Sequence, residues 1–167
     1  MQGGIRVYQP VFHPFAPIAG ADSHTLILGT MASPKSRENG FYYGHPQNRF
    51  WPVLAAVFSR EIPKSDDARA SLLLDNGLAL WDVLAQCEID GAADASIRRP
   101  VPNDIPALLQ ACPIQRVFTT GQTAARLYRL LVEPRTRLPC VALPSPSPAN
   151  RRVPFDALVA AYAVLKG

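Results

Sequence analysis

Residues 41–51 read FYYGHPQNRFW and gather five aromatic rings, one His, one Asn and one Arg into eleven positions. Aromatic faces stack on nucleobases, at about 1–3 kcal/mol per base. An Asn amide carries a donor and an acceptor, so Asn48 can address the edge of a base or an attacking water. Plainer uses stand beside these. Phe50 and Trp51 can open a helix and join the core, His45 can cap a turn ahead of Pro46, and Asn48 can be a helix N-cap. A second stretch, residues 143–152 (LPSPSPANRR), alternates Pro with Ser and ends on two Arg. Its prolines leave little freedom to lose on binding. Ser145 and Ser147 offer hydroxyls to phosphate, and Arg151 and Arg152 add charge. Such a tip can wedge into a duplex while its flanks, Pro148 and Asn150 among them, hold the backbone. Neither serine sits in a G-x-S-x-G elbow, so a serine nucleophile is not expected.

Three further places could carry chemistry. Residues 29–36 (GTMASPKS) make a small-residue turn whose backbone N–H groups can come close to a phosphate or a base. Asp82 falls near the end of an apolar run, where a carboxylate can be catalytic but is more often structural. Residues 119–123 (TTGQT) can open a helix on a phosphate or cap it, and the structural role is the expectation. Cys87, Cys112 and Cys140 are far apart and join no metal-ligand pattern, so no metal site is expected.

These groups need elements to hold them. Residues 25–28 (TLIL), 78–84 (LALWDVL), 116–120 (RVFTT) and 140–143 read as buried strands. Helical spacing runs over 50–58, from a Ser65-Asp66-Asp67 cap to Asn76-Gly77, from Asn103-Asp104 to about Cys112, from Gly121 to Leu131, and over 153–165. The first twenty-two residues read as an irregular arm, and 85–102 as a long loop. Alternating strands and helices predict an α/β fold, an open parallel sheet with helices on both faces. Ligands of such sheets bind beyond the carboxyl ends of the strands, which is where the four polar loops fall.

Composition narrows the classes. The chain has 167 residues, 48% hydrophobic and 18% charged, which suits one globular domain over 1–167. Its longest apolar stretch, residues 157–165, is too short to cross a bilayer, and no leader opens the chain, so no membrane association and a cytoplasmic location are expected. Net charge is only +4, but 14 of the 17 cations are Arg. Arg forks onto phosphate where Lys cannot, though coding bias produces the same skew.

Taken together, residues 29–36, 42–51 (YYGHPQNRFW), 77–84 (GLALWDVL) and 143–150 (LPSPSPAN) resemble, in order and spacing, the uracil-DNA glycosylase superfamily. The nearest likeness is to its hypoxanthine-DNA (deoxyinosine) glycosylases, from about Thr25 to the C-terminus. The resemblance implies a three-layer α/β/α fold around a four-stranded parallel sheet, a flipped base and no cofactor. It implies that Asn48 is the catalytic residue and that Tyr43 stacks on the base. The candidate base contacts are Gly29, Thr30, Met31, Tyr43 and His45. Two departures stand out: Met31 lies where most of the superfamily carries a water-positioning Asp or Asn, and Ala32 where Pro is usual. Leu143 is as in the hypoxanthine branch. Apart from Lys35, no lysine stands among these motifs, which implies a monofunctional enzyme that leaves an abasic site in base excision repair. DNA is the expected partner of a monomer associated with a prokaryotic nucleoid. The choice of base, and whether Asp82 or Glu38 assists the water, stay open. So do two other classes: a module that binds damaged or single-stranded DNA without cutting, and an enzyme of free nucleosides.

Overall fold

The computed structural model describes Ile5 and residues 7–167; the remainder of the predicted arm, residues 1–4 and 6, lies outside the described residues. Four parallel strands form the central sheet: β2 (Thr25–Gly29), β3 (Leu78–Asp82), β6 (Arg116–Thr120) and β7 (Cys140–Leu143), in the order β3-β2-β6-β7. Every residue of β2 is buried, as expected of a strand covered on both faces. Successive side chains point to opposite faces. Leu26, Leu28 and Val117 therefore pack with α4 (Ile105–Ala111) and α5 (Gln122–Leu131). Ile27 and Phe118 pack on the other side with α2 (Phe50–Val57), α3 (Asp66–Leu74) and α7 (Phe155–Tyr162). This is the three-layer α/β/α arrangement with a four-stranded parallel sheet.

Helix starts follow their caps. The Ser65 hydroxyl accepts from the Ala68 N–H, and Asp104 accepts from Ala107, so Asp104 and not Asn103 is the cap. Asn103 is used otherwise: its side-chain amide donates to the carbonyls of Asp82 and Leu84, at 2.9 and 3.1 Å. Those bonds hold a bend at Val83, where the chain leaves the parallel sheet. The stretch 78–84 is thus two strands, β3 and the start of β4 (Leu84–Ile89).

The expected long loop over 85–102 is mostly sheet. β4 pairs antiparallel with β1 (Gln9–Phe12) on one side and with β5 (Arg98–Pro102) on the other. The arm is not irregular either, since it supplies β1 and an isolated bridge from Ile18 to Leu80. Prolines hid these strands: β1 and β5 carry Pro10, Pro100 and Pro102, and both are edges, where a missing N–H costs no ladder bond. Two short helices are also present that periodicity could not show, α1 (Pro34–Asn39) and α6 (Glu133–Thr136).

Candidate active site

A cavity of about 660 Å³ opens at the carboxyl ends of the parallel strands. Gly29, Thr30 and Met31 follow β2, Asp82 ends β3, Thr120 ends β6, and Leu143 to Ser147 follow β7; all line it. Its opposite wall comes from α1 and the turn between β4 and β5, with Arg37, Ile89 and Asp94.

Asp82 is 4% exposed. The His13 ring donates from Nε2 to Asp82 Oδ2 at 2.6 Å, and His13 Nδ1 lies 3.0 Å from the Phe15 carbonyl. A buried carboxylate needs such a partner. The pairing is with the arm, 69 residues away. The other oxygen, Oδ1, lies against Gly29, where a Cβ would overlap it and come within 3.0 Å of the Tyr43 hydroxyl. Only glycine lets β2 pass between these two groups.

Tyr43 has φ of +53°, a conformation uncommon for an aromatic residue. Its ring stacks on Phe50 at 3.9 Å and 19° between planes, and its hydroxyl is 3.0 Å from Thr120 Oγ1. Burial, and then the Asp82 charge, push its pKa well above the ordinary phenol value, so the hydroxyl stays a donor. Asp94 sits on the 3₁₀ turn Asp94–Ser96 at the outer lip. Asp94 is exposed at its surface, but partial loss of hydration raises its carboxyl, the nearby Thr30 hydroxyl lowers it, and the Asp82 charge raises it again, with a net upward shift.

Asn48 serves both readings. Its Oδ1 accepts from the Phe50 N–H at 2.9 Å, at the start of α2. That bond identifies the oxygen and leaves Nδ2 as the amide end available to the cavity that Asn48 lines. His45 does not line it; its Nδ1 accepts from the Gln47 N–H at 3.0 Å, so the plainer turn-capping use is the one observed. Glu38 and Lys35 also lie outside the lining and pair with each other at 3.4 Å. Of the two carboxylates left open, only Asp82 faces the cavity.

The two polar loops meet. The Arg49 N–H donates to the Pro146 carbonyl at 3.1 Å. Its guanidinium donates to the carbonyls of Val153 and Asn150 at 2.6 and 2.8 Å. Ser145, Ser147 and Asn150 brace the second loop, with Asn150 Nδ2 donating to the Ser145 carbonyl at 2.9 Å, and all three line the cavity. The Tyr162 hydroxyl anchors Pro144 from α7. Pro148, Arg151 and Arg152 are outside the lining, and both arginines are exposed. Arg151 reaches back to Gln47 Oε1 at 3.0 Å.

Sequence reasoning missed His13, Arg37 and Asp94 and assigned Thr120 to structure alone. His13 and Asp94 lay in stretches read as irregular. Arg37 gave no signal beyond its closeness to the first loop. Among the described residues no three His, Cys, Asp or Glu side chains gather as metal ligands.

Comparison with known proteins identifies the family and the fold. Residues 17–166 match the family described as the Uracil DNA glycosylase superfamily. A hypoxanthine DNA glycosylase from Methanosarcina acetivorans is 29% identical over 139 residues, 83% of this chain and 87% of that protein. One from Methanosarcina barkeri is 28% identical over 119 residues, 70% and 75% of the two chains. The solution NMR structure of a candidate uracil DNA glycosylase from M. acetivorans superposes with a TM-score of 0.79, at 24% identity, over 95% of this chain and all of that one. With nearly its whole length inside one family and the same fold beneath it, the chain belongs to the uracil DNA glycosylase superfamily.

Proposed function

We propose that this protein is a monofunctional DNA glycosylase that extrudes a deaminated base, hypoxanthine foremost, and hydrolyses its N-glycosidic bond. The observation that carries this reading is the joining of the two polar loops around a cavity faced by the Asn48 amide and the Asp82 carboxylate. The relatives named hypoxanthine DNA glycosylase support the choice of base.

A glycosidic bond inside a duplex is out of reach, so the nucleotide is extruded at a cost of a few kcal/mol, least for a mispaired base. The stiff 144–148 tip fills the gap left behind. Tyr43 and the first loop bound the base. Asp82 is an acceptor only, and it suits the ring N–H that deamination creates beside the new carbonyl. As the C1′–N9 bond breaks, its electron pair passes to the base. The Asn48 Nδ2 and the N–H groups of the first loop stabilise that charge. The strand's own phosphates flank the sugar cation and stabilise it. Water adds to C1′ and loses a proton, the departing base anion gains one, and the products are free base and an abasic sugar. Among the described residues no lysine lines the cavity, which leaves water to add at C1′.

The test is a panel of oligonucleotides, each with one hypoxanthine, uracil, xanthine or mismatched thymine, single- and double-stranded, followed by alkali. Alkali-labile breaks at hypoxanthine, dependent on the protein, are expected. Tight binding to the same strands with no such breaks would make the protein a damage-binding module and overturn the enzymatic reading.

A further inference from the structure

Arg37 is the one cation that lines the cavity among the described residues. It projects from α1, and its Nε is buried with no hydrogen-bond partner among the described residues. None of the ion pairs among those residues includes it, although Asp82 and Asp94 line the same cavity. Its charge reaches the buried Cys87 thiol on β4, which burial pushes up and Arg37 pulls back. Val11 and Ile89, which line the cavity with it, are 5% and 6% exposed. An unpartnered buried donor costs stability; Arg69 Nε shares that state away from the cavity, so it is the place of Arg37 in the lining, with no acidic partner, that points to a ligand.

Within a DNA strand, two kinds of group accept a guanidinium fork: a phosphate, and the O6/N7 edge of a 6-oxopurine. Arg151 and Arg152 already stand exposed on the rim for phosphates. A phosphodiester at Arg37 would have to carry its charge in beside Val11 and Ile89, whereas the flat edge of a base brings acceptors without that charge. The base edge is the better fit.

We propose that Arg37 reads the 6-oxo edge of the extruded base, donating to O6 and N7 of hypoxanthine. This rests on the glycosylase reading above. Adenine presents an amino donor at the position of O6, so the same fork meets N–H against N–H and loses one of its two bonds. Cytosine differs from uracil in the same way at position 4. Arg37 thus distinguishes hypoxanthine from adenine by the one group that deamination changes, whereas guanine presents the same O6/N7 edge and must be refused at its 2-amino group by other parts of the cavity. Arg37 favours hypoxanthine over uracil, which has no N7. A donor on that edge also draws charge from the departing purine.

The test compares wild type, Arg37→Met and Arg37→Lys. Free hypoxanthine and 7-deazahypoxanthine, which lacks the N7 acceptor, are titrated calorimetrically, and excision is followed from deoxyinosine and deoxyuridine strands. Wild type is expected to prefer hypoxanthine over its 7-deaza analogue. Arg37→Met is expected to lose that preference and to bind hypoxanthine about 5- to 150-fold more weakly. Arg37→Lys keeps the charge without the fork and is expected to recover only part of the loss. A melting temperature of Arg37→Met at or above wild type would exclude misfolding, since the buried unpartnered nitrogen is gone. Equal affinities of wild type and Arg37→Met for both bases would overturn the assignment. So would a uniform loss on every strand with a salt slope shallower by about 0.9, which marks a phosphate contact. If wild type excises no base at all, the glycosylase reading fails, while the base titrations still decide Arg37.

Discussion

Asp82 and Asn48 face one cavity with opposite hydrogen-bonding characters, and each is held by a bond that fixes its role. The Phe50 N–H keeps the amide oxygen of Asn48 occupied, so its donor end is the one on offer. Asn48→Ala should lower kcat for hypoxanthine release by about 10²–10³, the usual cost of removing one transition-state donor. Single-turnover excision measures this, with a matched far-ultraviolet spectrum as the folding control. Asp94 gives a different kind of prediction. Its carboxyl titrates above the ordinary range when folded, so the folded protein binds that proton more tightly than the unfolded chain. Stability from this group is present at acid pH and is lost as pH rises through the folded value. Asp94→Asn should therefore melt higher than wild type near neutral pH, with the gap closing as pH falls. Thermal melts from pH 3 to 8 would show it, and a constant gap would count against the coupling.

At the scale of elements, the site depends on joints between segments. Arg49 ties the first polar loop to the second through three carbonyls. An arginine beside an aromatic cluster could serve a phosphate, and the structure gives this guanidinium to the protein instead. Arg49→Lys keeps the charge but cannot span Val153 and Asn150 together. Activity should fall at least tenfold while the salt dependence of DNA binding stays unchanged, a pairing that filter binding and excision assays can resolve. The parallel strands were legible because continuous apolar runs such as TLIL and RVFTT are what doubly covered strands require. Both polar loops were legible because Asn, Ser, Arg and aromatic residues cluster there locally. The antiparallel sheet was not, because its edge strands carry prolines that mimic loop. His13 was not, because a pairing that spans 69 residues leaves no local period.

For the molecule as a whole, charge is mild in total and uneven in place. Net charge is +4, and the exposed pair Arg151 and Arg152 stands on the rim beside the stiff tip. Replacing both with Ala should flatten the log–log salt dependence of duplex affinity by about 0.9 for each phosphate that is no longer neutralised. kcat at saturating DNA should change little, and fluorescence anisotropy over a salt series would test the first part. The small antiparallel sheet has a structural part in all of this, because it brings His13 to Asp82 and Ile89 and Asp94 to the outer wall. The way Arg49 holds its neighbours reaches further. Its three acceptors are main-chain oxygens, and every amino acid supplies one. Position 148, outside the cavity lining, can therefore be exchanged without undoing the latch, provided the backbone keeps its course. A library randomised at that position should yield many folded, closed variants, making this point of the tip a natural place to graft new strand preferences onto an unchanged reaction centre.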